Sequence, residues 1–247
     1  MITNKEEETK YYELSDKLRK MRLSGMADGL EALLKDENLG LRDPLQVLSS
    51  VIDQEWDLRY EKKFKKYLKN ATLKFPGASL DERLYEADRK IDVRAVEQLS
   101  TCAWIDEGKN LTFTGMTGTG KTYLLCALAV CAIRKFYTVK YIKASSLINE
   151  ATAAALEGKI IEYENRMISY DLLIIDDFGF MSLGNSECLR IFEILDGRSA
   201  RKSTAVASQL PRESWYDLFQ DNTYADACMD RLTKGAYKIE LFGPSLR

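Results

Sequence analysis

An α/β fold with a parallel sheet covered by helices on both faces is predicted by three observations. Short, continuously apolar segments alternate with helical periodicity from Asn110 onward. One of them, Leu111-Thr112-Phe113-Thr114, runs into Gly115-Met116-Thr117-Gly118-Thr119-Gly120-Lys121-Thr122, which fits the phosphate-cradling pattern G-x-x-x-x-G-K-[ST], and then into an apolar helix from Tyr123 to Arg134. Another, Leu172-Leu173-Ile174-Ile175, ends in two carboxylates, Asp176 and Asp177. Strands apolar at every position belong to a sheet buried on both faces.

At 247 residues, with 45% hydrophobic and 30% charged content, the chain can hold one large domain or a mid-sized one with a smaller companion. Met1 to Lys10 is polar and carries Glu6-Glu7-Glu8, the wrong chemistry for a signal peptide, and no run approaches the roughly 18 apolar residues that span a membrane. A cytoplasmic protein with no membrane partner is expected. The 5 cysteines are odd in number and lack paired metal spacing, so they read as free core thiols. The count of 0 histidines removes Ser-His-Asp and Cys-His catalysis and every His-ligated metal site. A net charge of −2 gives no global attraction to nucleic acid, so such binding must come from a local patch.

From the start, residues 1–12 read as frayed, and two short amphipathic helices come next, divided near Ser24-Gly25. Asp43-Pro44 is a helix start, Asp43 as N-cap and Pro44 at the first position. Leu48, Ile52, Trp56, Tyr60, Phe64 and Leu68 keep a spacing of four, so one helix of roughly 40 Å is predicted from Pro44 to Lys69. Its second half turns basic: Arg59, Lys62, Lys63, Lys65, Lys66, Lys69 and Lys74 stand against Glu61 alone, with Tyr60, Phe64 and Tyr67 interleaved. That is either a solvated face or a tracker of phosphate backbones, in which Lys62, Lys65, Lys66 and Lys69 bind DNA. Phe75-Pro76-Gly77 breaks the helix and marks the predicted boundary between a small all-helical domain, 1–75, and the α/β domain, 76–247.

Beyond the break, Asp92 caps a helix from Val93 that buries Val96, Leu99 and Ala103 and stops at Gly108. After the glycine loop and its helix come a strand at Thr138–Ile142, a helix capped by Ser145 or Ser146 and running to Gly158, and a helical piece over 159–169. The Asp-Asp strand is succeeded by a helix at Ser186–Arg198, a strand at Thr204–Ser208, helical pieces around 214–219 and 224–232, and a last strand at Tyr237–Leu241.

Ligands of such sheets bind at the carboxyl ends of the strands, so Thr117 to Thr122, Asp176, Asp177 and Gln209 should converge on one crevice. The loop's backbone N–H groups and the helix N-terminus suit phosphate, an exposed Lys121 reaches the outer phosphates, and Thr122 and Asp176 hold Mg²⁺. Asp177 is placed to orient or deprotonate the attacking water. Asp177-Phe178-Gly179 also spells a kinase metal motif, but without histidine there is no H-R-D loop to accompany it.

The glycine loop, Leu172-Leu173-Ile174-Ile175-Asp176-Asp177-Phe178-Gly179, Ser208-Gln209-Leu210-Pro211, Asp230-Arg231-Leu232, Leu23-Ser24-Gly25-Met26-Ala27, Asn110-Leu111 and the closing Gly-Pro-Ser-Leu-Arg, taken together, resemble the IstB-like helper ATPases of insertion-sequence transposons. The resemblance covers nearly the whole chain. It implies an AAA+ P-loop ATPase with a five-stranded sheet of order 5-1-4-3-2, using ATP and Mg²⁺, and acting as a homo-oligomer on duplex DNA beside an integrase-type transposase. Gly115, Thr117, Gly118, Thr119, Gly120, Lys121, Thr122 and Tyr123 would then bind nucleotide. Gln209 looks like the sensor of the γ-phosphate and Arg231 like an arginine finger entering the neighbouring subunit's site. Lys143, Lys159 and Arg166 fall where relatives line a central channel.

Two departures stand out. Asp177 replaces the glutamate of most AAA+ proteins, so slow hydrolysis is expected. Gly243-Pro244 replaces a common Gly-Glu, and no helical C-terminal lid is expected. A DnaC-type helicase loader, docking through the N-terminal helices, shares the ATPase core and is the alternative. A metabolic phosphotransferase is disfavoured by the basic helix and the Asp-Arg-Leu motif.

Overall fold

Strands β1 (Leu111–Gly115), β2 (Val139–Lys143), β3 (Leu172–Phe178), β4 (Ser203–Ser208) and β5 (Tyr237–Leu241) form one parallel sheet in the order β2-β3-β4-β1-β5, the topology the resemblance implies. The structure is a computed structural model and describes residues 5–36, 39–80 and 91–243. Pro244 and the residues after it lie outside the described part. Contacts divide the chain into two compact units, Met1–Lys66 and Tyr67–Arg247.

The smaller unit holds α1 (Lys5–Lys20), α2 (Ser24–Leu33) and most of α3 (Pro44–Ala71). Helix α1 begins at Lys5, inside the stretch expected to fray. The break between the first two helices is at Arg22, whose φ of +61° is left-handed, so Ser24-Gly25 opens α2 instead of separating the helices. The reason is the seat of α2 on α3. A Cβ on Gly25 would lie 2.7 Å from Glu55 Cα, and one on Gly29 would lie 2.5 Å from Gln54 Oε1. The buried Glu55 carboxylate accepts from Gly25 N at 2.6 Å and Met26 N at 3.2 Å, satisfying free amides at the positive end of α2, and Arg59 Nε donates to it at 2.5 Å. The Leu23–Ala27 motif is therefore a packing element in which the glycine permits the approach and the carboxylate caps it.

The last turn of α3 belongs to the larger unit. Tyr67 meets Phe136 edge-on at 5.9 Å, Ala71 and Leu73 are buried, and Thr72, at φ +53°, ends the helix and donates to the Tyr141 carbonyl at 3.0 Å. Helix α4 (Val93–Ser100) is capped by Asp92 as predicted. It does not run on to Gly108: Cys102 turns left-handed, at φ +63°, and α5 (Ala103–Asp106) starts anew. Trp104 and Ile105 are buried there and Ala103 is not, because the turn lets Trp104 Nε1 donate back to Leu99 O at 3.0 Å.

Helix α6 (Lys121–Arg134) touches β1 to β4 and α4 on one face of the sheet. On the other face α7 (Ala144–Leu156), α8 (Ile160–Ser169), α9 (Asn185–Arg198), a 3₁₀ segment at Arg212–Leu218 and α10 (Asn222–Thr233) form the main core with Leu173, Ile175 and Val206. Helix α7 begins at Ala144 without a side-chain cap, one residue before the predicted serine. The amino ends of the strands are tied by polar groups. Asp171 accepts from Thr138 N at 2.8 Å and Thr138 Oγ1 at 2.7 Å and pairs with Lys202 at 2.5 Å. Arg198, 1% exposed, donates to Met167 O at 2.8 Å, Tyr170 O at 2.7 Å, Thr204 Oγ1 at 3.0 Å and also to Ser203 O. These groups join the end of α8 to the starts of β3 and β4, which leaves the carboxyl ends for a ligand.

Replacing Gly25 by Ala drives a methyl into α3, an overpacking error of about 2 kcal/mol. Hydrogen exchange of the α2 amides should accelerate roughly 30-fold while that of β1 is unchanged; equal protection in both proteins would refute the close-approach account.

Candidate nucleotide site

The site grows from the turn between β1 and α6. Gly115, at φ +141°, ends β1 where a Cβ would lie 2.2 Å from Leu241 O of β5, and Gly120, at φ +93°, delivers the chain into α6. Thr119 is buried and its Oγ1 donates to Met116 O at 2.9 Å, stapling the loop from within. Lys121 is not the exposed lysine expected. It is 8% exposed, and its ammonium donates to Gly115 O at 2.6 Å and Met116 O at 2.7 Å. Burial lowers its pKa, against the pull of Asp176 and Asp177.

A cavity of about 300 Å³ opens beside this loop. Thr117, Gly118, Gly120, Lys121, Thr122 and Tyr123 line one side; Asp176, Asp177 and Gln209 line another. Of the residues proposed from sequence for nucleotide contact, Gly115 and Thr119 stand outside the lining, the first against β5 and the second beneath the loop. Thr117 Oγ1 donates to Gln209 Oε1, which joins the loop to the end of β4.

The two strand-end carboxylates are separated by an irregularity in β3. Ile175 pairs with Val206 and Phe178 with Ser208, so β3 carries one more residue than β4 across that interval. Asp177 takes φ +55° there, and Gly179 stands nearby at φ +113°. Asp176, 2% exposed, accepts from Thr122 Oγ1 at 2.9 Å and from the Tyr141 hydroxyl at 2.6 Å. Asp177 is turned to Lys143, whose Nζ lies 2.9 Å from its Oδ2, and that bond raises the lysine pKa.

The structure adds residues to the cavity that the sequence did not assign to nucleotide. Lys74 and Phe75 line the cavity, and the Phe75 ring lies 5.8 Å from that of Tyr123, whose hydroxyl accepts from Ser79 N at 3.3 Å. Phe75 reads in sequence as part of a helix-breaking Phe-Pro-Gly, and nothing local to it signals a ligand wall.

The other candidates lie apart. Arg231 on α10 does not line the cavity. It pairs with Asp196, Nε to Oδ1 at 2.7 Å, donates to Ala227 O at 3.0 Å, and lies 4.7 Å from the Phe192 ring centroid. Lys159 and Arg166 do meet, at a second cavity of about 280 Å³ near the α7–α8 corner, but Glu150, Glu157 and Glu162 share it. Lys159 pairs with Glu157 at 2.9 Å and Arg166 stacks over Tyr163 at 5.1 Å. Lys62, Lys65, Lys66 and Lys69 are all exposed on α3, Lys65 being 3.6 Å from Glu61. Among the described residues no helix is long and apolar enough to cross a membrane.

Known proteins resemble this chain in sequence and in fold. The insertion sequence ATP-binding protein y4pL of Sinorhizobium fredii is 33% identical over 232 residues, covering 94% of each chain. The insertion sequence IS21 ATP-binding protein of Pseudomonas aeruginosa is 26% identical over 237 residues, covering 96% of this chain and 89% of that one. Among solved structures, the DnaC helicase loader superposes with a TM-score of 0.53 at 20% identity over 67% of this chain and 97% of that one, a likeness of fold. The profile of the family described as IstB-like ATP binding protein matches residues 16–247, and the chain, with its phosphate loop, its Asp-Asp strand and its five-stranded parallel sheet, belongs to that family.

Proposed function

We propose that this protein is a cytoplasmic, ATP-hydrolysing helper of transposition. In this reading it assembles on duplex DNA as an oligomer with shared nucleotide sites and assists an integrase-type transposase. The observation that carries the enzymatic part is the gathering of the phosphate loop, Asp176, Asp177 and Gln209 around one cavity at the carboxyl ends of the strands. The insertion-sequence relatives support the transposition part. The likeness to a helicase loader is one of fold and lends the alternative no comparable support.

ATP would lie with its phosphates along the amides of the loop and Lys121, and its base toward Phe75 and Tyr123, two rings that suit a purine face. Mg²⁺ fits the donor set: Thr122 and Asp176 offer hard oxygens 2.9 Å apart. Among the described residues no group of three or more His, Cys, Asp or Glu side chains makes an all-protein cage. A cation held by few protein oxygens and by phosphates needs no more. When bound, it supplies charge neutralisation of the phosphates.

Asp177 serves as the group that orients and deprotonates water. Its salt bridge to Lys143 holds back that role, because the ammonium 2.9 Å from Oδ2 occupies the carboxylate oxygen that a water would use. A DNA phosphate that draws Lys143 away would free Asp177, which supports hydrolysis stimulated by DNA. Asp177→Asn should bind ATP normally and lose about 100-fold or more in turnover. Lys143→Gln should raise turnover without DNA by several-fold and flatten stimulation by DNA. A Lys143→Gln protein with wild-type turnover in both conditions would contradict the restraint.

Arg231, one-quarter exposed and held by a partly exposed ion pair, can leave Asp196 at a cost of about 1 kcal/mol or less. Since it does not line its own cavity, the reading gives it to the neighbouring subunit's site. Arg231→Ala and Asp177→Asn, each inactive alone, should regain hydrolysis on mixing, because some interfaces then combine an intact finger with an intact carboxylate. Mixtures no more active than the separate proteins would argue against a shared site.

DNA is assigned to the basic half of α3 and to Lys143, and not to Lys159 and Arg166, which stand among three glutamates. With about five phosphates neutralised per subunit, log affinity should fall with log salt at a slope of about −4 to −5, regardless of sequence. Changing Lys62, Lys65, Lys66 and Lys69 to Gln should flatten that slope and spare ATP binding; an unaltered slope would place the DNA elsewhere.

A further inference from the structure

The Asp176 carboxylate receives two hydrogen bonds from the described residues, both on one oxygen. Oδ2 accepts from Thr122 Oγ1 at 2.9 Å and from the Tyr141 hydroxyl at 2.6 Å, while Oδ1 accepts none from the described residues. Tyr141 reaches Asp176 through sheet geometry. On β2 it pairs with Ile174, two residues before Asp176, so its side chain and the carboxylate project from the same face as diagonal neighbours, a separation that an aromatic side chain spans. Both ends of the residue are held, since the hydroxyl is on Asp176 and the carbonyl accepts from Thr72 Oγ1 at 3.0 Å.

A buried tyrosine usually needs an acceptor, and at 8% exposure Tyr141 is buried. What distinguishes this one is the acceptor it uses. The bond is short and charge-assisted, and it lands on the oxygen already engaged by the last residue of the phosphate loop. Two donors on one oxygen fix the rotation of the carboxylate and leave the other oxygen its lone pairs.

From this geometry we propose that Tyr141 is a positioning residue that presets Asp176 to receive the divalent cation accompanying the nucleotide, with Oδ1 kept open for that cation or its water. The proposal rests on the nucleotide reading of the cavity. Without the hydroxyl, Asp176 retains, among the described residues, only the Thr122 bond to orient it and must be ordered when the cation arrives. Loss of a partner that orients a metal-binding group costs roughly 10- to 100-fold in metal affinity.

The test uses the full chain and Tyr141→Phe, which keeps the ring and the main-chain bond from Thr72. Binding of a fluorescent ATP analogue is titrated in EDTA and then across a series of Mg²⁺ concentrations. The variant should bind the analogue in EDTA within about twofold of wild type, and the Mg²⁺ concentration giving half its effect on affinity should rise about tenfold or more. In an Asp176→Asn background, Tyr141→Phe should produce no further shift, because the two residues act as one unit. An unchanged Mg²⁺ midpoint overturns the proposal. So does an equal loss of affinity with and without Mg²⁺, which would mark the hydroxyl as general support for the fold. Failure of the wild-type protein to bind the analogue under any condition would instead sink the nucleotide reading, and this proposal with it.

Discussion

Neighbouring residues of a strand point to opposite faces, yet two consecutive carboxylates at the end of β3, Asp176 and Asp177, both line the cavity. The extra residue in β3 between Ile175 and Phe178 resolves that conflict. It lets Asp176 stay in register, buried against Thr122 and Tyr141, and swings Asp177 through a left-handed conformation onto Lys143. An aspartate tolerates that backbone at a cost on the order of 1–2 kcal/mol. Hydrogen bonds just beyond it hold the strained turn: Ser208 Oγ donates to Phe178 O, Leu210 N donates to Ser208 Oγ at 3.1 Å, and Gly179 completes the change of direction.

The sheet can carry this irregularity because the opposite, amino-terminal ends of its strands are tightly tied. At the amino ends Asp171 and Arg198 satisfy main-chain groups around the starts of β2, β3 and β4, and Arg198 does so with its donors on carbonyls and a threonine hydroxyl. A buried guanidinium placed in that way is costly to disturb, so register is set there. The carboxyl ends are left to loops, and the polar groups gathered at the cavity come from those loops, from the strand tips and from the first turn of α6.

Charge is distributed with the same division of labour. The basic half of α3 is exposed and nearly free of acid, while the basic residues of the α7–α8 corner are offset by glutamates. Lys143 stands between these cases. By sequence it resembles one more basic residue of a channel; in the structure it is the counter-ion of Asp177. A residue that answers to phosphate from one side and to a strand-end carboxylate from the other is a physical link between DNA contact and hydrolysis in the proposed function.

Local patterns in the sequence determined the element order, the phosphate loop, the Asp-Asp strand end, the long basic helix and, through the resemblance, the order of the sheet. These are decided by periodicity, by glycine spacing and by capping residues, which act over a few positions. Contacts distant in sequence were decided only by the tertiary structure. Glu55 caps a helix that begins at Ser24, Tyr141 reaches Asp176 across a register, and Phe75 walls a cavity opened after Gly115. None of these residues carries a local mark of the partner it takes. A buried polar group pairs with whichever group the packing brings within about 3 Å, and that choice is made by the fold as a whole.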